Sequence, residues 1–171
     1  METFAIDESL FIHLDNRQLW VIGIINTITK KFRLELSFTR DASVLKNIIQ
    51  KHIKKGNVIV SDAWAGYNWL SDAQFGYAHH VHNHGHGDFG LGIDSTSHVE
   101  QLWSHLKSII KNLYYSIPHK NFITFIREAE LRHNISNYTN ERKFGEILDI
   151  IKYISDLDIT NLSSDEELLN I

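Results

Sequence analysis

Cysteine is absent from the 171 residues, and proline occurs once, at Pro118. Without cysteine there is no disulfide framework and no thiolate zinc site, which points to an intracellular protein, cytoplasmic in a prokaryote or nuclear in a eukaryote. No apolar run approaches the roughly 18–20 residues that span a bilayer, so no membrane role is expected. The N-terminus (METFAIDESLF) carries acids where a signal peptide would carry positive charge. An excess of basic charge is also missing: 17 Lys+Arg stand against 21 Asp+Glu, a net charge of −4. That balance argues against an openly basic nucleic-acid module. It is uneven, however, because residues 141–171 hold eight acids and three bases, and residues 1–140 hold 13 acids and 14 bases. A near-neutral body can still meet nucleic acid through a local patch or through bridging metal ions.

What is present is an ordinary globular composition, 43% hydrophobic and 22% charged, in a length that suits one core. The first third reads as strands. Phe4 to Leu14 is apolar-rich, Gln18 to Thr29 is a near-continuous apolar run, and Arg33 to Phe38 alternates with period two. Short polar breaks between them suit antiparallel neighbours. Asp41 is placed to cap a helix through Lys55, with Val44, Ile48, Ile49, His52 and Ile53 on one face and Gly56 as terminator. Asn57 to Ser61 then makes a β-branched strand ending at Asp62, and a strand after such a helix implies a parallel crossover. A short helix over Ala63–Ser71 and an edge strand over Tyr77–Val81 follow.

The stretch from His79 to Ile93 is dense in His and Gly and reads as an irregular loop. Beyond it, Val99, Leu102, Trp103, Leu106, Ile109, Ile110 and Leu113 form a stripe at helical spacing that ends before Pro118. Phe122 to Tyr138 and Phe144 to Leu157 continue as helices, and an acidic tail closes the chain. The order β-β-β-α-β-α-β followed by helices predicts an α/β fold, a ribonuclease-H-like mixed five-stranded sheet flanked by helices. We expect residues 1–140 to form this core and residues 141–171 a C-terminal helix with its acidic tail.

Three acids occur where such a core would hold metal: Asp7 in the first strand, Asp62 at the end of the fourth, and Glu100 opening the long helix. If the first and fourth strands are parallel neighbours, both aspartates reach the same end of the sheet. Carboxylates are hard ligands suited to Mg²⁺ or Mn²⁺. Two such ions about 3.5–4 Å apart can activate an attacking oxygen and steady a leaving one in phosphodiester chemistry. Each acid also has a plainer explanation. Asp7 can start a turn, Asp62 can cap the short helix after its strand, and Glu100 can close a capping box with Ser97. Lys107 lies seven residues after Glu100, within about 20° of it around the helix, so a cation there can reach a phosphate beside the metals or simply face solvent. His80, His82, His84 and His86 alternate along one side of an extended chain; substrate-phosphate contact or exposure is expected before a dedicated zinc site. Trp20, Trp69 and Trp103 are assigned to core packing.

The runs SDAWAGY, GYAHHVHNH and VEQLWSHLK resemble, in that order, the motifs of ISXO-like insertion-sequence transposases. Asp62, Trp64 and Tyr67 match the first block. His79 or His80 with Asn83 and His84 match the second. Val99, Glu100, Trp103, Ser104, Leu106 and Lys107 match the third. Asp7-Glu8 resembles the opening D-E of that family, and Glu128 to Asn134 its late E-F-x-x-R-Y-N. The resemblance spans residues 4 to about 140. It implies a DDE-type catalytic domain that uses Mg²⁺ or Mn²⁺ in a two-metal site to cleave DNA at transposon ends and transfer the freed strand to target DNA. It implies Asp7, Asp62 and Glu100 as ligands, Lys107 as a phosphate contact, and a homo-oligomer on DNA. Candidate DNA contacts are His82, His84, Lys111, Arg127 and Arg132. Two departures stand out. The family's H-T-N before the Glu reads Ser95-Thr96-Ser97, which makes Ser97 an alternative third-ligand position, and the Gly after the second Asp is Ala63. Members normally carry an N-terminal DNA- or zinc-binding module, and this chain begins almost at the first catalytic strand. The expected alternative is therefore a truncated or domesticated derivative that binds DNA or protein without catalysis.

Overall fold

Alternation along the first strand decides the layering. In the computed structural model, which describes residues 1–14, 17–82, 100–101, 103–104, 107–108, 119–136 and 138–156, β1 runs Thr3–Leu14. Successive side chains point to opposite faces. Ala5 and Ile6 are both fully buried, so β1 is covered on both sides and sits at the centre of the sheet. β2 (Arg17–Asn26) and β3 (Phe32–Ser37) pair antiparallel on one flank of it; β4 (Val58–Asp62) and β5 (Ala78–His82) pair parallel on the other. The order β3-β2-β1-β4-β5 is the mixed five-stranded sheet expected.

The register of β1 against β2 slips between Leu10 and Ile12, leaving Phe11 as the extra residue of a bulge. β2 stops at Asn26 rather than running to Thr29. The Asn26 Oδ1 accepts the backbone N–H groups of Ile28 and Thr29 at 3.0 and 2.9 Å, and Lys30 takes a left-handed φ of 59°. A local side-chain acceptor thus competes successfully with the ladder, and Ile28 is left exposed.

Helix α1 (Ala42–His52) covers one face of the sheet. Its Leu45 and Ile49, with Ile53 just beyond it, pack with Ile6, Ile22 and Ile59 in one buried cluster. Asp41 stands at the N-cap position but makes no side-chain cap bond; its carbonyl accepts the Leu45 N–H. The helix ends three residues earlier than the apolar pattern predicts. Ile53 is extended (φ −117°, ψ 118°) with its N–H still on the Ile49 carbonyl, and the chain turns at Gly56, whose φ of 87° favours glycine. The segment after β4 is 3₁₀ rather than α-helical, over Ala65–Ser71 and again over Ala73–Phe75.

The chain divides into two compact units, Met1–Tyr115 and Ser116–Ile171. The second contains α2 (His119–Asn134) and α3 (Asn140–Asp156). On α2, Phe122, Phe125 and Ile126 are buried at helical spacing. α3 starts four residues before the first apolar position because Thr139 caps it: its Oγ1 accepts the Arg142 N–H at 3.4 Å and its carbonyl the Lys143 N–H. Phe144, Ile147 and Leu148 form an exposed apolar row on α3. Among the described residues no helix is long and apolar enough to cross a membrane.

Burial of α1 on the sheet contributes directly to the cohesion of the first unit. Ile49→Ala is expected to lower unfolding free energy by about 2–4 kcal/mol, the usual loss for emptying such a site. Urea denaturation at neutral pH measures this, with exposed Lys54→Ala as the near-neutral reference.

Candidate active site

The parallel pairing of β1 with β4 sets Thr3, Phe4 and Ala5 level with Val58, Ile59 and Val60. Continued for two more residues, the same offset brings Asp7 level with Asp62. Level residues on neighbouring strands point to one face, with strands about 4.8 Å apart. Two carboxylates from distant parts of the chain are therefore set on one face, Asp7 within β1 and Asp62 at the carboxyl end of β4. β5 adds His82, which pairs with Asp62 in register.

Electrostatics agree with this placement. The Asp7 carboxyl is pushed up to about 6, chiefly by burial, with the negative charges of Glu8 and Asp62 adding to the effect and a Trp103 hydrogen bond opposing it. Trp103 Nε1 donates to Asp7 Oδ2 at 2.8 Å. Trp103 is buried, so the core assignment of this residue is correct but incomplete; a buried indole N–H needs an acceptor, and here Asp7 provides it. The bulge residue Phe11 meets the Trp103 ring edge-on at 5.8 Å, and Lys107 Nζ lies 5.5 Å from the Phe11 ring centre. Residues 100, 101, 103, 104, 107 and 108 are helical, and Glu100, one turn before Trp103, is exposed.

Asp62 also does what its plainer explanation requires. Its Oδ1 accepts the Trp64 N–H at 3.0 Å, fixing the entry to the 3₁₀ segment. Asp7, by contrast, lies within a strand and starts no turn. The capping box proposed for Glu100 depends on Ser97, which lies outside the described residues, as do His84, His86 and Lys111. Arg127 and Arg132, on α2, reach Glu130 at 3.3 Å and Glu128 at 2.7 Å. Among the described residues no three His, Asp or Glu side chains gather into a metal-holding group. The strand register thus sets Asp7 beside Asp62, and among the described residues Glu100 joins no set of three.

His79 belongs to β5, within the edge strand expected over Tyr77–Val81, so the irregular stretch expected from His79 onward does not begin there. Its Nε2 lies 2.9 Å from Ser61 Oγ and its Nδ1 3.1 Å from Ser71 Oγ, and burial followed by the neighbouring His80 holds its pKa below the usual value. That imidazole ties β5 to β4 and to the 3₁₀ segment.

The opposite face of β1 holds a feature that the sequence reading left without a role. Glu8 is 2% exposed in its side chain, accepts the Tyr67 hydroxyl on Oε2 at 2.5 Å, and accepts Arg40 Nη1 on Oε1 at 3.1 Å. Burial raises the Glu8 carboxyl, opposed by both hydrogen bonds. The Arg40 guanidinium lies 4.5 Å from the ring centres of both Trp20 and Trp64. Gly66 is needed beneath Trp64, because a Cβ there would collide with the indole. The available signal was the pairing of a charged residue at a strand position whose neighbours Phe4 and Ile6 face the core.

An all-oxygen pair of like-charged, partly desolvated carboxylates is chemistry that a hard divalent cation neutralises, so the residues present fit Mg²⁺ or Mn²⁺. Without such a cation, Asp7 binds a proton more readily folded than unfolded, and stability falls as pH rises from about 3.8 through about 6. Asp7→Asn is therefore expected to stabilise the protein in EDTA at pH 7.5 by on the order of 1–3 kcal/mol. Urea titrations across pH check this, and the advantage should vanish below pH 3.8, where the carboxyl is neutral in both states.

Among curated proteins, none matches this sequence. Among solved structures, the fold is similar to that of the simian T-cell lymphotropic virus intasome in complex with PP2A regulatory subunit B56 gamma. The TM-score is 0.52 at 15% identity, covering 80% of this chain and 49% of that one, about half its length. It is also similar to the HTLV-2 integrase catalytic core domain in complex with magnesium. The trimeric form gives a TM-score of 0.50 at 13% identity, covering 81% of this chain and 88% of that one. The dimeric form gives 0.53 at 10% identity, covering 76% and 83%. At these identities the likeness shows the fold, which is ribonuclease-H-like. A family model for the ISXO2-like transposase domain matches residues 11–134, a span that includes Asp62, Glu100 and Lys107 and begins just after Asp7 and Glu8. With well over half of its length matched in this way, the chain belongs to the ISXO2-like transposase domain family.

Proposed function

We propose that this chain is a DDE-type catalytic domain that cleaves DNA strands at transposon ends and transfers them to target DNA. The observation that carries the reading is the parallel register of β1 and β4, which, continued two residues past Ala5 and Val60, sets Asp7 level with Asp62. Family membership and the integrase-like fold add to it.

In this reading Asp7, Asp62 and Glu100 hold Mg²⁺ or Mn²⁺, with Ser97 as the alternative third position. When bound, a pair of such ions lowers the cost of forming an oxygen nucleophile and of releasing the 3′ oxygen from phosphorus. The protein's own part is positioning. Trp103 fixes the orientation of the Asp7 carboxylate and so ties the helix that carries Glu100 to β1. Trp64 does the same for Asp62 through its backbone N–H. Lys107 brings positive charge to a phosphate beside the carboxylates. His82, His84, Lys111, Arg127 and Arg132 are proposed backbone contacts, which set register on DNA without reading sequence. Residues 1–140 carry the chemistry, residues 141–171 follow it, and the active form is a homo-oligomer on paired ends.

A second reading, DNA or protein binding without cleavage, draws on the exposure of Glu100.

A nicking assay on supercoiled plasmid in Mn²⁺ separates the two. We expect nicked product from the wild type, and background levels from Asp62→Ala and Glu100→Ala. Equal product from wild type and Asp62→Ala would reject the catalytic reading, and binding without any nicking would support the second.

A further inference from the structure

The Asp7–Asp62 pair is held from behind as well as from the front. Glu8 follows Asp7 on β1 and projects to the other face, where it is almost wholly buried. Burying a carboxylate is costly, and an apolar residue would pack against Ile6 and Ile22 at no such cost. Its two oxygens are instead divided between two partners. One accepts the Tyr67 hydroxyl, the other the Arg40 guanidinium.

Both partners lead to Asp62. Tyr67 is fully buried and belongs to the 3₁₀ segment that begins three residues after Asp62. Its ring meets Trp64 edge-on at 5.8 Å. Arg40 lies against the Trp64 ring, and the same ring packs closely over Gly66. Trp64 is the residue whose backbone N–H donates to Asp62 Oδ1. A contact made by β1 on the far face is thus transmitted through one aromatic cluster to the carboxylate that β4 presents on the near face.

We propose that Glu8 is a positioning residue for Asp62, acting through Tyr67 and through the Trp64 indole that Arg40 clamps. This deepens the reading above and rests on Asp62 being a metal ligand. The pairing of Asp7 and Glu8 in sequence then has a physical sense: one strand supplies a ligand on one face and the brace for its partner ligand on the other.

The test uses the full chain, ¹⁵N-labelled, titrated with Mg²⁺. Two resonances report separately: the Trp64 amide on the Asp62 contact and the Trp103 indole N–H on the Asp7 contact. In the wild type we expect both to move with Mg²⁺. Tyr67→Phe removes one oxygen from the brace. It is expected to shift the Trp64 amide before any metal is added, to leave the Trp103 indole in place, and to weaken Mg²⁺ binding about tenfold, the scale of losing an outer-shell support. Glu8→Gln keeps the size and an acceptor for Tyr67 but loses the charge pairing with Arg40. It should shift the same amide with a smaller loss of affinity, and it carries the test if Tyr67→Phe does not fold. Wild-type Mg²⁺ affinity together with an unmoved Trp64 amide in the folded variant would overturn the proposal. A wild type that gives no Mg²⁺ response at either reporter would instead overturn the metal-site reading. In that case the Trp64 amide of the variants still decides whether Glu8 positions Asp62.

Discussion

The parallel register between β1 and β4 is the constraint on which everything else depends. It places two carboxylates, 55 positions apart in the chain, level with each other on one face. Left to itself, the Asp7 carboxylate would move away, since burial and the nearby negative charges of Glu8 and Asp62 disfavour its charged form. The two carboxylates stay together because the strands beneath them are locked. Ala5, Ile6, Ile59 and Val60 are all fully buried, and each large apolar side chain among them contributes about 1.5–3 kcal/mol. Three such residues outweigh the cost of one partly desolvated acid, so the sheet wins and the site carries the strain.

Support for the site arrives from both faces of the sheet. In front, Trp103 docks the helical residues around Glu100 onto Asp7, and Phe11, placed by a β-bulge, meets its ring. Behind, Glu8, Tyr67, Arg40 and Trp64 connect β1 to the turn that follows Asp62. The arrangement is that of side chains whose freedom is removed by neighbours before any ligand arrives, which is how a site avoids reorganisation during a reaction. His79, between Ser61 and Ser71, extends the same bracing to the edge strand β5.

Local patterns were legible where one force dominated. Apolar richness marked β1, which is buried on both faces, while alternation marked β3 and a 3.6-residue period marked α1, because the burial of a single face governs those two segments. The reading slipped where a short-range polar contact competed with apolar periodicity. Asn26 ends β2 within an apolar run, and Thr139 starts α3 ahead of its first apolar residue. Trp103 was legible as a core residue but not as the donor to Asp7, since a tryptophan's partner is set by what lies across the interface. Glu8 was visible only as the second letter of a motif.

From its sequence alone, the chain determined the kind of sheet, the order of its elements, the family it resembles and the acids eligible for metal. Those properties follow from side-chain chemistry and periodicity, which are local. The tertiary structure alone decided that Asp7 and Asp62 share a face, and that Trp103 and Trp64 are the donors that orient the two aspartates. Strand register and the partners of buried polar groups are fixed by packing between segments remote in sequence, and no local pattern encodes them.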